Sequence, residues 1–157
     1  MYHIGDKIVY PLHGAGVIEG IEEKDVLGKT QNYYILKIPY NNMKLMVPID
    51  NCDAVGIRDI IDKKAANDVI NDMKNFSVDL SVSWNKRQRE NLTMLKSGDI
   101  YEVAHVVKGL MVKEKEKGLS GNEKKTLISS KQILISELVM SLEQKEDEVE
   151  EIIEHII

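Results

Sequence analysis

The sequence predicts an α+β fold in two domains, a small closed or half-open β-barrel followed by a compact all-α domain. Three observations carry that expectation. Before about residue 60, short runs of alternating or β-branched residues are broken by glycine, proline and asparagine, which is strand periodicity with turn chemistry. From Arg58 onward apolar residues recur every three or four positions, which is helical spacing. The charge also shifts along the chain: residues 84–131 hold 11 basic and 6 acidic side chains, net +5, and residues 132–157 hold 1 and 8, net −7. The expected domains are 1–60 and 61–157.

The strands come first. Ile4 to Tyr10 alternates apolar and polar residues, and Pro11 to Gly16 reads as a turn rich in glycine. Val17 to Glu22, Asn32 to Ile38 and Met43 to Pro48 are the next strands, with a loop at Gly28 and a turn at Asn41–Asn42. Asp53 to Ile57 is expected to close the sheet. Five short strands are too few for a sandwich and suit a small barrel.

The helices follow. Ile60, Ile61, Ala65, Val69 and Met73 share one face of a first helix. A polar connection over residues 75–83 leads to a second, from Trp84 to a stop at Gly98. Asp99 with Glu102, and Ser120 with Glu123, have the spacing of reciprocal N-terminal caps. Ile100, Val103, Val107 and Leu110 line the third helix, and Leu127, Leu134, Ile135, Leu138 and Val139 the fourth. Val149, Ile152, Ile153 and Ile156 keep the spacing within the acidic tail, so a last helix is expected to dock.

Composition narrows the function classes. With 43% hydrophobic and 30% charged residues the chain is neither fibrous nor disordered. No apolar run approaches the roughly 18 residues of a membrane span, and the N-terminus lacks the pattern of a secretory signal. The single Cys52 cannot form an internal disulfide, and a reducing cytoplasm fits. His3, His13, His105 and His155 have no i, i+4 partner, so no metal site is expected. His13 to Gly16 resembles a phosphate loop only superficially, because a strand rather than a helix follows it. No nucleophile–base–orienter set assembles. The chain reads as no enzyme, with no cofactor.

Trp84-Asn85-Lys86-Arg87-Gln88-Arg89 is the sharpest local feature: the only tryptophan, at a helix start, beside three cations. Cations neutralise phosphates and an indole can stack on a base. Equally, Trp84, Gln88, Leu92 and Leu95 share one helix face, so the indole can cover the core. Lys108, Lys113, Lys115, Lys117, Lys124, Lys125 and Lys131 add charge on the next helices. Lys124 and Lys125 stand in a helix's first turn, where cations oppose the macrodipole, and an anionic partner accounts for them.

Taken together, these motifs resemble the CarD/CdnL family of bacterial RNA polymerase-binding transcription regulators. The resemblance rests on Gly5-Asp6-Lys7-Ile8-Val9-Tyr10-Pro11 with His13-Gly14, on Tyr33 to Lys37, on Met43 to Pro48 and on Val55-Gly56-Ile57-Arg58-Asp59. In the second half it rests on Trp84 to Arg87, Ser97-Gly98-Asp99 and Gly118-Leu119-Ser120 with Glu123-Lys124. The first part is also similar to the polymerase-interaction domain of transcription–repair coupling factors.

The resemblance implies a Tudor-like (SH3-like) barrel that docks on the polymerase β subunit through Met43, Lys44, Leu45, Met46, Val47 and Pro48, flanked by Lys24. Some relatives carry arginine at the position of Met46, which implies a more apolar contact here. It further implies a helical domain whose Trp84 wedges into DNA at the upstream edge of the promoter bubble, with Lys86, Arg87 and Arg89 on the backbone; Lys124 and Lys125 join the same candidate set. The expected partners are the β subunit and promoter DNA without sequence reading, and neither a membrane nor a small-molecule substrate. A monomer in the cytoplasm, on the nucleoid through polymerase, is expected. The alternative is a Tudor-like module that binds a protein without touching DNA.

Overall fold

The computed structural model describes residues 2–39 and 43–157, with Trp84 described by its backbone alone. Five strands form one antiparallel sheet: β1 (Lys7–Tyr10), β2 (Gly14–Val26), β3 (Lys29–Lys37), β4 (Lys44–Pro48) and β5 (Arg58–Asp59), in the order β4-β3-β2-β1-β5. Five helices follow: α1 (Lys63–Asn75), α2 (Trp84–Lys96), α3 (Ile100–Glu116), α4 (Gly121–Leu142) and α5 (Glu146–Glu154). Among the described residues no helix is long and apolar enough to cross a membrane.

Strand alternation gives the sheet two working faces. Ile8, Ile18, Tyr34, Leu36, Ile38 and Val47 fill its own core. Val9 and Ala15, from the opposite face, pack on Met140 of α4. Two glycines make this possible. A Cβ on Gly16 would lie 2.5 Å from the Lys37 carbonyl oxygen, so only glycine lets β2 and β3 approach there. Gly14 has φ +124°, and a Cβ on it would meet the Ser136 hydroxyl at 3.0 Å.

The helical core surrounds α4. Its residues 133–138 are buried without a break, because α1, α3, α5 and β2 all pack against it. A helix covered on every side needs no polar face. Ser136 and Glu137 are nevertheless in that stretch, and both hold the sheet. The Ala15 N–H donates to Ser136 Oγ at 2.9 Å, and that hydroxyl donates to the Ile133 carbonyl. Arg58 of β5 donates from both terminal nitrogens to Glu137, at 2.7 and 2.8 Å, and the Ile61 N–H adds a third bond at 2.9 Å. Arg58 Nε reaches the Gly98 carbonyl at the α2–α3 joint, 2.9 Å away.

Several boundaries differ from the sequence expectation. The closing strand is Arg58–Asp59, not residues 53–57, which lie in turns after a 3-10 turn at Ile49–Asn51. Asp62 caps α1 by accepting from the Ala65 N–H, so Ile60 and Ile61 precede the helix. Gly14 to Gly16 belong to β2, and the turn is Pro11–His13, with Leu12 at φ 73°. The turn expected at Asn41–Asn42 lies outside the described residues. The Ser120–Glu123 capping box forms in full, and α5 docks through Val149 and Ile153. Leu92, expected on a core face, is 51% exposed.

Removing one partner of a buried ion pair costs about 3–5 kcal/mol, because the other charge is stranded. Glu137 is 1% exposed and Arg58 30%, so Arg58→Met strands the deeper charge. Urea titration is expected to show Arg58→Met as more destabilising than Glu137→Met, whose guanidinium can reach water. The opposite order would mean that the stranded guanidinium and the Ile61 N–H left without an acceptor cost more than the stranded carboxylate.

Candidate docking and nucleic-acid interfaces

Among the described residues β4 is an edge of the sheet, paired with β3 alone. Its outer backbone groups face no strand, which is the requirement for pairing with another chain. Its side chains divide. Val47, opposite Tyr34, is buried, and Leu45, opposite Leu36, packs on the same core. Met46 and Lys44 alternate onto the other face, Met46 half-buried and Lys44 exposed. Lys44 Nζ meets Glu19 Oε1 at 2.7 Å, and hydrogen bonding to Glu19, then its charge, holds the ammonium above its ordinary pKa. Met43 is exposed before the strand, and Pro48 ends it opposite Tyr33.

Lys24 lies beyond that end. It pairs with Gln31, two positions past the Tyr33–Pro48 pair, on a β2–β3 hairpin whose residues 21–30 are all exposed. Leu27 and Gly28 form its tip with φ 52° and 79°. Two positive φ values define the primed turn that matches strand twist, where asparagine or glycine is usual. Leu27 is 101% exposed, with Val26 and Ile21 also exposed nearby. The sequence expectation of a loop at Gly28 does not include this apolar finger; a leucine held at a glycine-type turn position is the signal that could have found it.

On the helical side, α2 begins at Trp84. Its cap residue Ser83 makes no side-chain cap bond, and no acid stands in the first turn. The macrodipole's positive end is therefore left uncompensated beside Lys86 and Arg89. Lys86 is exposed and 3.9 Å from Glu90, a loose i, i+4 pair; Arg89 is exposed one turn along. Arg87 differs. It is half-buried, with its guanidinium beside Gly109 of α3, where a Cβ would stand 3.7 Å from Nη1, an ordinary contact. Asp79 nearby is held below its ordinary pKa chiefly by the Ser81 hydroxyl, with Arg87 a smaller contributor. The choice between a core and an outward Trp84 side chain lies outside the described residues.

Lys124 and Lys125 are exposed in the opening turns of α4. Lys125 shares a groove with Gln88 and Leu92 of α2, so the structure joins it to the α2 face and leaves Lys86 and Arg89 outside that groove. Three other cations of the basic block are engaged internally. Lys108 is buried, and its ammonium donates to the Lys74 and Phe76 carbonyls, at 3.2 and 2.5 Å, closing the C-terminus of α1. Lys113 bonds Glu123 at 2.6 Å, and Lys131 pairs with Glu154 of α5. Among the described residues, no group of three metal-ligating side chains converges. Cys52 is half-buried and donates to the Pro48 carbonyl at 3.2 Å, with burial pushing its thiol pKa up.

The structure is thus an open-edged sheet locked to a cation-bearing helical body. Comparison with known proteins supplies the family. The description "CarD-like/TRCF RID domain" matches residues 2–61, and "CarD, C-terminal domain" matches residues 68–154. A Bacillus subtilis (strain 168) protein named "Putative transcription factor YdeB" is 41% identical over 138 residues, covering 88% of this chain and 90% of that one. The solution structure of the 72-residue N-terminal domain of Myxococcus xanthus CarD matches 38% of this chain and 79% of its own, at 27% identity and TM-score 0.33. The chain belongs to the CarD-like family of transcription factors, and membership implies interaction with RNA polymerase.

The anchor beneath Lys124 and Lys125 is pH-sensitive. Burial pushes the Glu123 carboxyl up, but the Lys113 ammonium and the Ser120 N–H and hydroxyl outweigh it and hold it below the ordinary value. A depressed carboxylate contributes stability above its unfolded pKa and loses it as pH falls through the folded one. Glu123→Gln keeps an acceptor for the Ser120 N–H but loses the charged bond to Lys113, and is expected to melt earlier than wild type at pH 7, by about 1–2 kcal/mol. The two melting curves should converge as pH drops below the ordinary glutamate range. A gap that stays constant into acid would exclude the Lys113 ion pair as its source.

Proposed function

We propose that this protein docks on the polymerase β subunit through the β4 edge and β2–β3 hairpin, and stabilises the open promoter complex through sequence-independent contacts of α2 and α4 with DNA at the upstream edge of the bubble. In this reading residues 1–60 form the polymerase domain and 61–157 the DNA-facing domain, working as a monomer, without catalysis, in the cytoplasm on the nucleoid. The carrying observation is the junction of Arg58 with Glu137 and Gly98, which ties the sheet to the end of α2. A tethered protein meets promoter DNA at high effective concentration, so weak DNA contacts suffice.

Lys86, Arg89, Lys124 and Lys125 are the phosphate-binding cations of this reading, and Arg87 supports the start of α2 from its half-buried position. Met46 and Lys44 on the outer face of β4, with Lys24 and the hairpin tip, offer the polymerase side chains to meet, while Leu45 and Val47 serve the barrel core. Trp84 is the wedge. A wedge that favours melted over paired DNA raises the open population by that difference in affinity and no more.

Two measurements test this. Replacing Lys86, Arg89, Lys124 and Lys125 with alanine is expected to flatten the dependence of log K on log salt, by about 0.9 for each phosphate that is no longer neutralised. Arg87→Ala is expected to lower the melting temperature and barely change the slope. An unchanged slope in the fourfold variant would place the DNA surface elsewhere. Trp84→Ala is expected to reduce the open-to-closed ratio about 5- to 150-fold, the worth of one stacked base, with an unaltered melt. A large drop in stability with normal opening would make the indole a core residue.

A further inference from the structure

We infer that the groove between α2, α4 and the β1–β2 turn holds one unpaired nucleotide of the melted strand, an inference that rests on the DNA-facing reading above. The groove encloses about 340 Å³, within the range of ordinary small-ligand sites. Leu92, Leu95 and Ile133 give it an apolar floor, and Leu12 closes it from the sheet side. Leu12 and Leu92 are exposed, and Leu12 is held at φ 73°. An unstacked base, flat and weakly polar, is a group that apolar side chains can hold.

The remaining walls suit a nucleotide rather than an apolar peptide. Gln88 and Ser129 line the groove and make no side-chain hydrogen bond to the protein among the described residues, so an amide and a hydroxyl are free for a base edge. Lys125 stands on the rim, and among the described residues no carboxylate lines the groove. The helix directions add to this. Arg87 lies by Gly109 and Ser97 adjoins Asp99, so α2 and α3 run antiparallel. Gly98, just past the end of α2, lies by Pro11, and Ile133 and Ser136, well along α4, lie by Gly14, so both helices bring their later turns to the β1–β2 turn. Accordingly α2 and α4 run in the same sense and bring their positive ends to one side of the groove, where a phosphate would pass. Trp84 occupies the α2 position one turn before Gln88, at that same end. A strand parted from its partner there would lie next to the groove mouth.

The test uses the whole chain and two DNA probes of one sequence, a full duplex and a fork with an unpaired single-strand end, followed by fluorescence anisotropy. Wild type is expected to prefer the fork by at least about fivefold. Ser129→Phe, which fills the groove from an exposed position, and Gln88→Leu, which removes the amide, should bind duplex as wild type does and show a smaller preference, keeping only the part that Trp84 supplies. A preference that neither substitution lowers overturns the inference, as does its absence from wild type. Binding to neither probe brings down the DNA-facing reading as well. Variants that keep the fork preference but lose polymerase binding assign the groove to a protein, again overturning it. Should Ser129→Phe melt early, Gln88→Leu still decides.

Discussion

Arg58 and Glu137 impose the constraint on which the two halves of this molecule depend. The carboxylate sits in the C-terminal half of α4, on the stretch that the neighbouring elements cover, and is almost wholly out of water. Three donors satisfy it, two from one guanidinium and one from the Ile61 backbone. The fork geometry of arginine fixes direction as well as distance. Since the same guanidinium also holds the Gly98 carbonyl, one side chain sets the last strand, the central helix and the α2–α3 joint in a single arrangement.

Around that pair the sheet comes close because its contact surface is small. Ala15 is fully buried and Gly14 leaves its Cβ position to the Ser136 hydroxyl. A bulkier β2 would hold the sheet off α4 and pull Arg58 from its partner. The Ser136 hydroxyl repeats the logic on a smaller scale, satisfying a strand N–H from inside a helix. The polar groups named at this junction are paired, as buried ones must be where no water reaches them. Lys108 follows the same rule at a distance, ending α1 with its ammonium.

The order of elements was legible in the sequence, because alternation and helical spacing are local. So were the capping box at Ser120 and the cap at Asp99, although Asp99 accepts from the Tyr101 N–H and the reciprocal pair expected with Glu102 does not form. What escaped were features made by distant partners. Arg58 reads as the first residue of a helix until Glu137, 79 positions away, holds it in a two-residue strand too short to show a period. Lys108 reads as surface charge until its bond to the end of α1 is visible, and Arg87 as one more cation until its guanidinium is seen beside Gly109 of α3. In the candidate site, charge and the edge strand were legible as residue types. The groove was not, because its walls come from three separate segments.

A buried ion pair is a poor source of net stability, since well-packed apolar side chains of the same volume often do as well or better. Its retention at this junction needs another reason, and orientation supplies one. Apolar contacts tolerate sliding and rotation, whereas a bidentate pair with a third donor does not. In the proposed role, two weak contacts, one on polymerase and one on DNA, strengthen each other only if the linkage between them holds its geometry; a loose joint would spread the DNA-facing surface over many positions and dilute its effective concentration. A rigid joint also means that affinity for the melted fork is expressed as a change in the promoter's own equilibrium rather than absorbed by bending the protein. The buried charge is thus better understood as setting an angle than as holding the fold together.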